Sequence, residues 1–124
     1  MRHRTRTHRA RVNYHAGQAA EDSVARDYER RGLCVAHRRW RGKGGEVDLV
    51  VRRGDAVIFV EVKKSRSFAE AALRLGPRQI ARLMTAGEEF LGGEPRGLLT
   101  EARFDVALVD SAGKVDIIEN ALAA

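Results

Sequence analysis

With 124 residues and one cysteine, Cys34, the chain has room for one domain with a modest core. It cannot form an internal disulfide or a cysteine-based metal cluster. No apolar run approaches the ~20 residues that span a bilayer, and the N-terminus lacks the apolar centre of a secretory signal, so a cytoplasmic protein is expected. The net charge of +6 is uneven, since residues 1–11, MRHRTRTHRAR, carry five Arg and no acid.

Residues 1–15 therefore read as a basic, disordered tail that can touch a phosphate backbone without reading sequence. His3, His8 and His15 lie in it as solvated side chains rather than metal ligands, and residues 16–124 form the domain. From Gly17 to Arg31 the spacing predicts a helix with Val24, Ala25 and Tyr28 as its apolar stripe and Gly32 as a fitting residue after its end. Glu21 falls on or beside the inward face. Two readings stand for it, a boundary glutamate paired with an arginine and a functional carboxylate. LCVAHRRW, 33–40, predicts a strand, with Cys34 a small buried hydrophobe and His37 at an edge. RGKGG, 41–45, reads as a mobile loop that lacks the spacing of a nucleotide-binding P-loop.

GGEVDLVVRRGDAVIFVEVKK, 44–64, predicts a hairpin. Gly54-Asp55 suits a two-residue turn because glycine takes φ > 0 without steric cost. That turn pairs Asp48 with Glu61, Glu46 with Lys63 and Val50 with Phe59 on one face, and Val47 with Val62, Leu49 with Val60 and Val51 with Ile58 on the other. The second face is wholly apolar; the first gathers charge at the end away from the turn. Directly opposed like charges destabilise a strand pair. A divalent cation offsets that repulsion, since Mg²⁺ is commonly held by one or two carboxylates plus waters and phosphate oxygens. Lys63 then either orients a water and steadies developing negative charge, or forms an ordinary surface ion pair with Glu46.

Beyond the hairpin, FAEAALRL suggests a short helix. Pro77 suits the first turn of a second, with Ile80, Leu83, Met84, Gly87 and Leu91 facing inward and Gly92-Gly93 ending it. Arg78 and Arg82, four residues apart, share a face that could meet a phosphate backbone. RFDVALV, 103–109, and KVDIIE, 114–119, predict a closing hairpin. The order helix, three strands, helix, two strands implies an α/β sandwich with a mixed sheet flanked by helices.

A carboxylate near one strand end followed by Glu-x-Lys on the next, here Asp48 and Glu61-Val62-Lys63, resembles the PD-(D/E)xK nuclease superfamily, with Val47 in place of its weakly kept proline. The match widens through GxxAE at 17–21, Trp40-Arg41, GEVDLV at 45–50, FVEVK at 59–63, PRQ at 77–79, RFDV at 103–106 and Asn120-Ala121. These resemble the YraN-type family of predicted endonucleases over about residues 16–122. That family is similar to archaeal Holliday junction resolvases. The resemblance implies a restriction-endonuclease-like fold and Mg²⁺- or Mn²⁺-dependent phosphodiester hydrolysis on DNA, including branched or structured DNA, by a dimer. It implies Glu21, Asp48 and Glu61 as metal ligands, Lys63 as the catalytic lysine and Glu46 as an additional site residue. Lys43, Arg78, Gln79 and Arg82 are the nucleic-acid contacts expected on the folded domain. Arg39 departs from the pattern, standing where an Asn commonly precedes the Trp, and Leu122 ends what is often an aromatic position. The competing classes are a nucleic-acid-binding module with little or no cleavage, and an assembly factor with a structural cation site.

Overall fold

The computed structural model describes residues 17–122. The basic tail and its three histidines lie outside the described residues. Helix α1 covers 17–30. Strands β1 (Cys34–Arg41), β2 (Glu46–Arg53) and β3 (Ala56–Lys64) follow as an antiparallel meander. Next come α2 (Phe68–Arg74), α3 (Pro77–Gly92) and a 3₁₀ turn at Gly97–Leu99. Strand β4 (Ala102–Val109) returns parallel to β3, and β5 (Val115–Ile118) lies antiparallel beside β4. Spatial order equals chain order across one mixed five-stranded sheet. The expected α/β architecture holds, with the short helix at FAEAALR formed and capped by Ser67, whose hydroxyl accepts from the Glu70 N–H.

Each face of the sheet carries its own helix layer. Val24, Ala25 and Tyr28 of α1 are fully buried on Leu49, Val51, Ile58 and Val60, most of the face expected to be wholly apolar. Val47, expected there opposite Val62, clusters instead with Val50, Phe59 and Phe90, beyond the end of the β2–β3 ladder. α3 covers the opposite face, where Ala86, Phe90 and Leu91 pack on Val50, Val57 and Phe59. A Cβ on Gly87 would stand 2.7 Å from the Phe104 ring, so glycine there lets α3 lie close to the sheet. Met84, expected inside, is exposed, and Ala86 and Phe90 are buried. The buried stripe runs through 83, 86, 87, 90 and 91, a helical face rotated from the expected one.

The β2–β3 hairpin forms in the expected register, from Arg53↔Ala56 through Leu49↔Val60, with Gly54 at φ +59. Cys34 is exposed, against expectation, because β1 is an edge strand and its first residue projects away from the core. No helix among the described residues is long and apolar enough to cross a membrane.

Candidate functional site

The β2–β3 ladder stops at Leu49↔Val60, and β3 continues along β4 as far as Lys64↔Val109. Where the two strands part, the Asp48 carboxylate takes the place of a backbone acceptor: the Val62 N–H donates to Asp48 Oδ2 at 2.8 Å. A strand N–H left by a splayed neighbour needs an acceptor, and this one fixes the Asp48 side chain beside Glu61. Glu61 is buried to 8% exposure. Burial, and then the Asp48 charge, push its carboxyl up to about 8, against the downward pull of Lys63. Lys63 Nζ stands 3.4 Å from Glu61 Oε1. The Gln79 amide on α3 satisfies both its ends when its oxygen accepts from Lys63 Nζ at 3.0 Å and its nitrogen donates to the Arg74 carbonyl at 3.3 Å. Gln79 thus holds the lysine and also lines the cleft.

Asp48 and Glu61 form the floor of an open cleft of about 950 Å³ between the parted strand ends and the start of α3. Arg41, Lys43, Arg74, Arg78 and Arg82 line its rim. Lys43, Arg78 and Arg82, the residues considered for phosphate contact, are among them, together with Arg41 and Arg74. Arg41 belongs to the Trp40-Arg41 motif, and Arg74 closes α2, where a basic last turn is the available signal.

Glu46 lines the cleft but does not pair with Lys63. With the ladder ended at Leu49, its partner is Arg41 at 3.6 Å across β1. Glu21, carried by α1, does not line the cleft. Its carboxylate pairs with Arg39 Nε at 3.0 Å. Burial raises the Glu21 carboxyl above its ordinary value, Arg39 opposes that, and the Asp48 and Glu46 charges raise it further. Glu21 therefore feels the site electrostatically and is neutralised by an arginine within the chain. Arg39 sits at φ +51, the left-handed region that asparagine adopts more readily than most residues.

Among the described residues, no group of three His, Cys, Asp or Glu side chains could hold a metal ion. The donor set present is the Asp48 and Glu61 pair. It suits a hard cation that takes one or two carboxylates and keeps its waters, and the Asp48 charge, which after burial raises the Glu61 carboxyl, is a like-charge contact that such a cation would relieve.

A family model described as "Uncharacterised protein family UPF0102" matches residues 20–109. The chain is 64% identical over 113 residues to a UPF0102 protein of Cereibacter sphaeroides strain KD131, covering 91% of this chain and 97% of that one. It is 58% identical over 117 residues to one of Roseobacter denitrificans, covering 94% and 91%. A UPF0102 protein of Dinoroseobacter shibae is 46% identical over 105 residues, covering 85% and 78%.

Proposed function

The chain belongs to the UPF0102 family, and we propose that it is a metal-dependent endonuclease of PD-(D/E)xK type that hydrolyses phosphodiester bonds in DNA. The observation that carries the reading is the adjacent Asp48 and Glu61 carboxylates at the floor of a cleft rimmed by five cations, with Lys63 paired to Glu61. A binding surface alone needs the rim; it has no use for a buried Glu61 whose cost of ionising the neighbouring Asp48 raises further. Asp48 and Glu61 would hold Mg²⁺ or Mn²⁺, which, when bound, polarises the phosphate and lowers the pKa of a water.

The protein's own groups account for the remaining roles. Asp48, locked by the Val62 N–H, keeps a fixed orientation. Lys63, held between Glu61 and Gln79, places a positive charge where charge builds on the phosphate oxygens as water attacks phosphorus and the P–O bond to the leaving sugar oxygen breaks. The proton lost by the water is balanced by the one gained by that oxygen. Arg41, Lys43, Arg74, Arg78 and Arg82 neutralise flanking phosphates and read no bases, which suits recognition of DNA form over sequence.

A second reading, a nucleic-acid-binding module with little cleavage, draws support from Arg39, whose guanidinium already neutralises Glu21. One assay separates the two: cleavage of linear, nicked and four-way DNA with Mg²⁺ or Mn²⁺, beside Asp48→Ala and Lys63→Ala. The endonuclease reading expects metal-dependent cleavage that both variants abolish while DNA binding persists. Binding with no cleavage under either metal would favour the module.

A further inference from the structure

The loop read as mobile from its composition is clamped. Its tip is a two-residue connection, Lys43-Gly44, since the Gly42 N–H donates to the Gly45 carbonyl at 2.9 Å and Arg41 pairs with Glu46. The primed turns that suit such tips need a positive φ; Gly54 supplies one in the β2–β3 tip, but neither Lys43 nor Gly44 has one. The β1–β2 tip therefore takes its shape from outside. Its support is Glu89 on α3, whose Oε2 accepts from the Lys43 N–H at 2.7 Å and Oε1 from the Gly44 N–H at 2.6 Å. Both are short, charge-assisted bonds.

The three glycines lie flush against α3. A Cβ on Gly42 would come 2.4 Å from Glu89 Oε2, one on Gly44 would come 2.4 Å from Thr85 Cγ2, and one on Gly45 would come 2.6 Å from the Arg82 carbonyl oxygen. Arg82, Thr85 and Glu89 follow one another at helical spacing, so one stripe of α3 receives the loop. The adjacent residues Arg78, Gln79 and Leu83 face the cleft.

We propose that Glu89 is a positioning residue that presents the Lys43-Gly44 tip as a preformed, phosphate-contacting wall of the cleft. The proposal rests on the nucleic-acid reading above. Because the Glu89 carboxylate occupies the two tip amides, phosphate is met by the Arg41 and Lys43 side chains and not by tip backbone. Ordering these cations before the ligand arrives lowers the entropy cost of binding.

The test compares wild type, Glu89→Ala, Glu89→Gln, Lys43→Ala and the Glu89→Ala/Lys43→Ala double variant without metal. Amide hydrogen exchange is read at residues 43 and 44, together with affinity for a DNA duplex across a salt series. Glu89→Ala should speed exchange at both amides, weaken duplex binding about fivefold and reduce the log–log salt slope by about 0.9 for each phosphate that the protein no longer neutralises. Glu89→Gln, which keeps the length and one acceptor, should restore part of both. If Glu89 acts through Lys43, its removal should cost much less in the Lys43→Ala background. Unchanged exchange at 43 and 44 in Glu89→Ala would overturn the clamp. Faster exchange with unchanged affinity and slope, or full additivity with Lys43→Ala, would overturn its role in binding while leaving the nucleic-acid reading intact. Absence of duplex binding by the wild type would overturn that reading itself, and the proposal with it.

Discussion

Two carboxylates are buried on neighbouring strands of one sheet, and their surroundings could hardly differ more. Asp105 on β4, 1% exposed, lies across from Val60 and accepts four hydrogen bonds: from the Tyr28 hydroxyl at 2.8 Å, Arg103 Nε at 2.9 Å, Arg103 Nη2 at 3.2 Å and the Asn120 N–H at 2.9 Å. Its charge is paired and its lone pairs are used. Glu61 on β3 faces the other side of the sheet beside a second carboxylate, with Lys63 as its nearest cation. Burial alone therefore does not mark function. A carboxylate with a complete donor set holds the fold; one pressed against another carboxylate at a cleft floor waits for something positive.

The largest effect should follow removal of the satisfied one. Asp105→Ala orphans the buried Tyr28 hydroxyl and leaves the half-buried Arg103 with Glu119 at 3.5 Å as its carboxylate, so it should cost about 2–4 kcal/mol in urea unfolding. A cost below about 1 kcal/mol would mean that water replaces Asp105.

The pH dependence of metal-free stability should be next in size. The folded protein holds the Glu61 proton up to about 8, whereas an ordinary Glu releases it near 4.5. The stabilisation from this group is therefore complete below about pH 4.5, declines as pH rises, and is gone above about 8. Its slope can reach at most about 1.4 kcal/mol per pH unit. Glu61→Gln should remove that decline, seen as a flatter thermal midpoint between pH 5 and 8 than in the wild type. Parallel curves for the two proteins would mean that neither burial nor the Asp48 charge raises the Glu61 carboxyl as described.

The smallest effect is expected at Arg39. Arg39→Asn loses the ion pair to Glu21 and gains a residue better suited to φ +51, so the terms oppose and stability should stay within about 1 kcal/mol of wild type. A larger loss would make Arg39 a structural strut of the α1–β1 contact.

Much of this comparison was legible before folding. The alternation from Gly44 to Lys64 and the Gly54-Asp55 turn carried the hairpin register, and with it the neighbourhood of Asp48, Glu61 and Lys63, because a period of two leaves only one arrangement that buries the apolar face. The end of the ladder at Leu49 was not legible. It depends on β3 preferring β4 as a partner, a contact between residues about 45 apart in sequence, and it is what separates Glu46 from Lys63 and gives Asp48 the Val62 N–H. RFDV and Asn120-Ala121 were visible as motifs, but their work was not. Arg103, Asp105 and Asn120 form the structural network, with Asn120 at φ +53 turning its N–H toward Asp105. The glycines of the 41–45 loop suggested mobility because composition reports what a backbone can do, whereas Glu89, more than forty residues away in the chain, decides what it does.

The most direct test of the central claim, that Asp48 and Glu61 form an unrelieved pair suited to a divalent cation, is thermal unfolding of wild type and Asp48→Asn across a Mn²⁺ or Mg²⁺ titration near pH 8. Ligand binding to the folded state raises the midpoint with metal concentration. The wild type should show that rise, and Asp48→Asn should start at an equal or higher metal-free midpoint and respond little to metal. A metal-free loss of several kcal/mol in Asp48→Asn, with a wild-type midpoint that metal leaves unmoved, would contradict the account and make Asp48 a structural acceptor for the Val62 N–H.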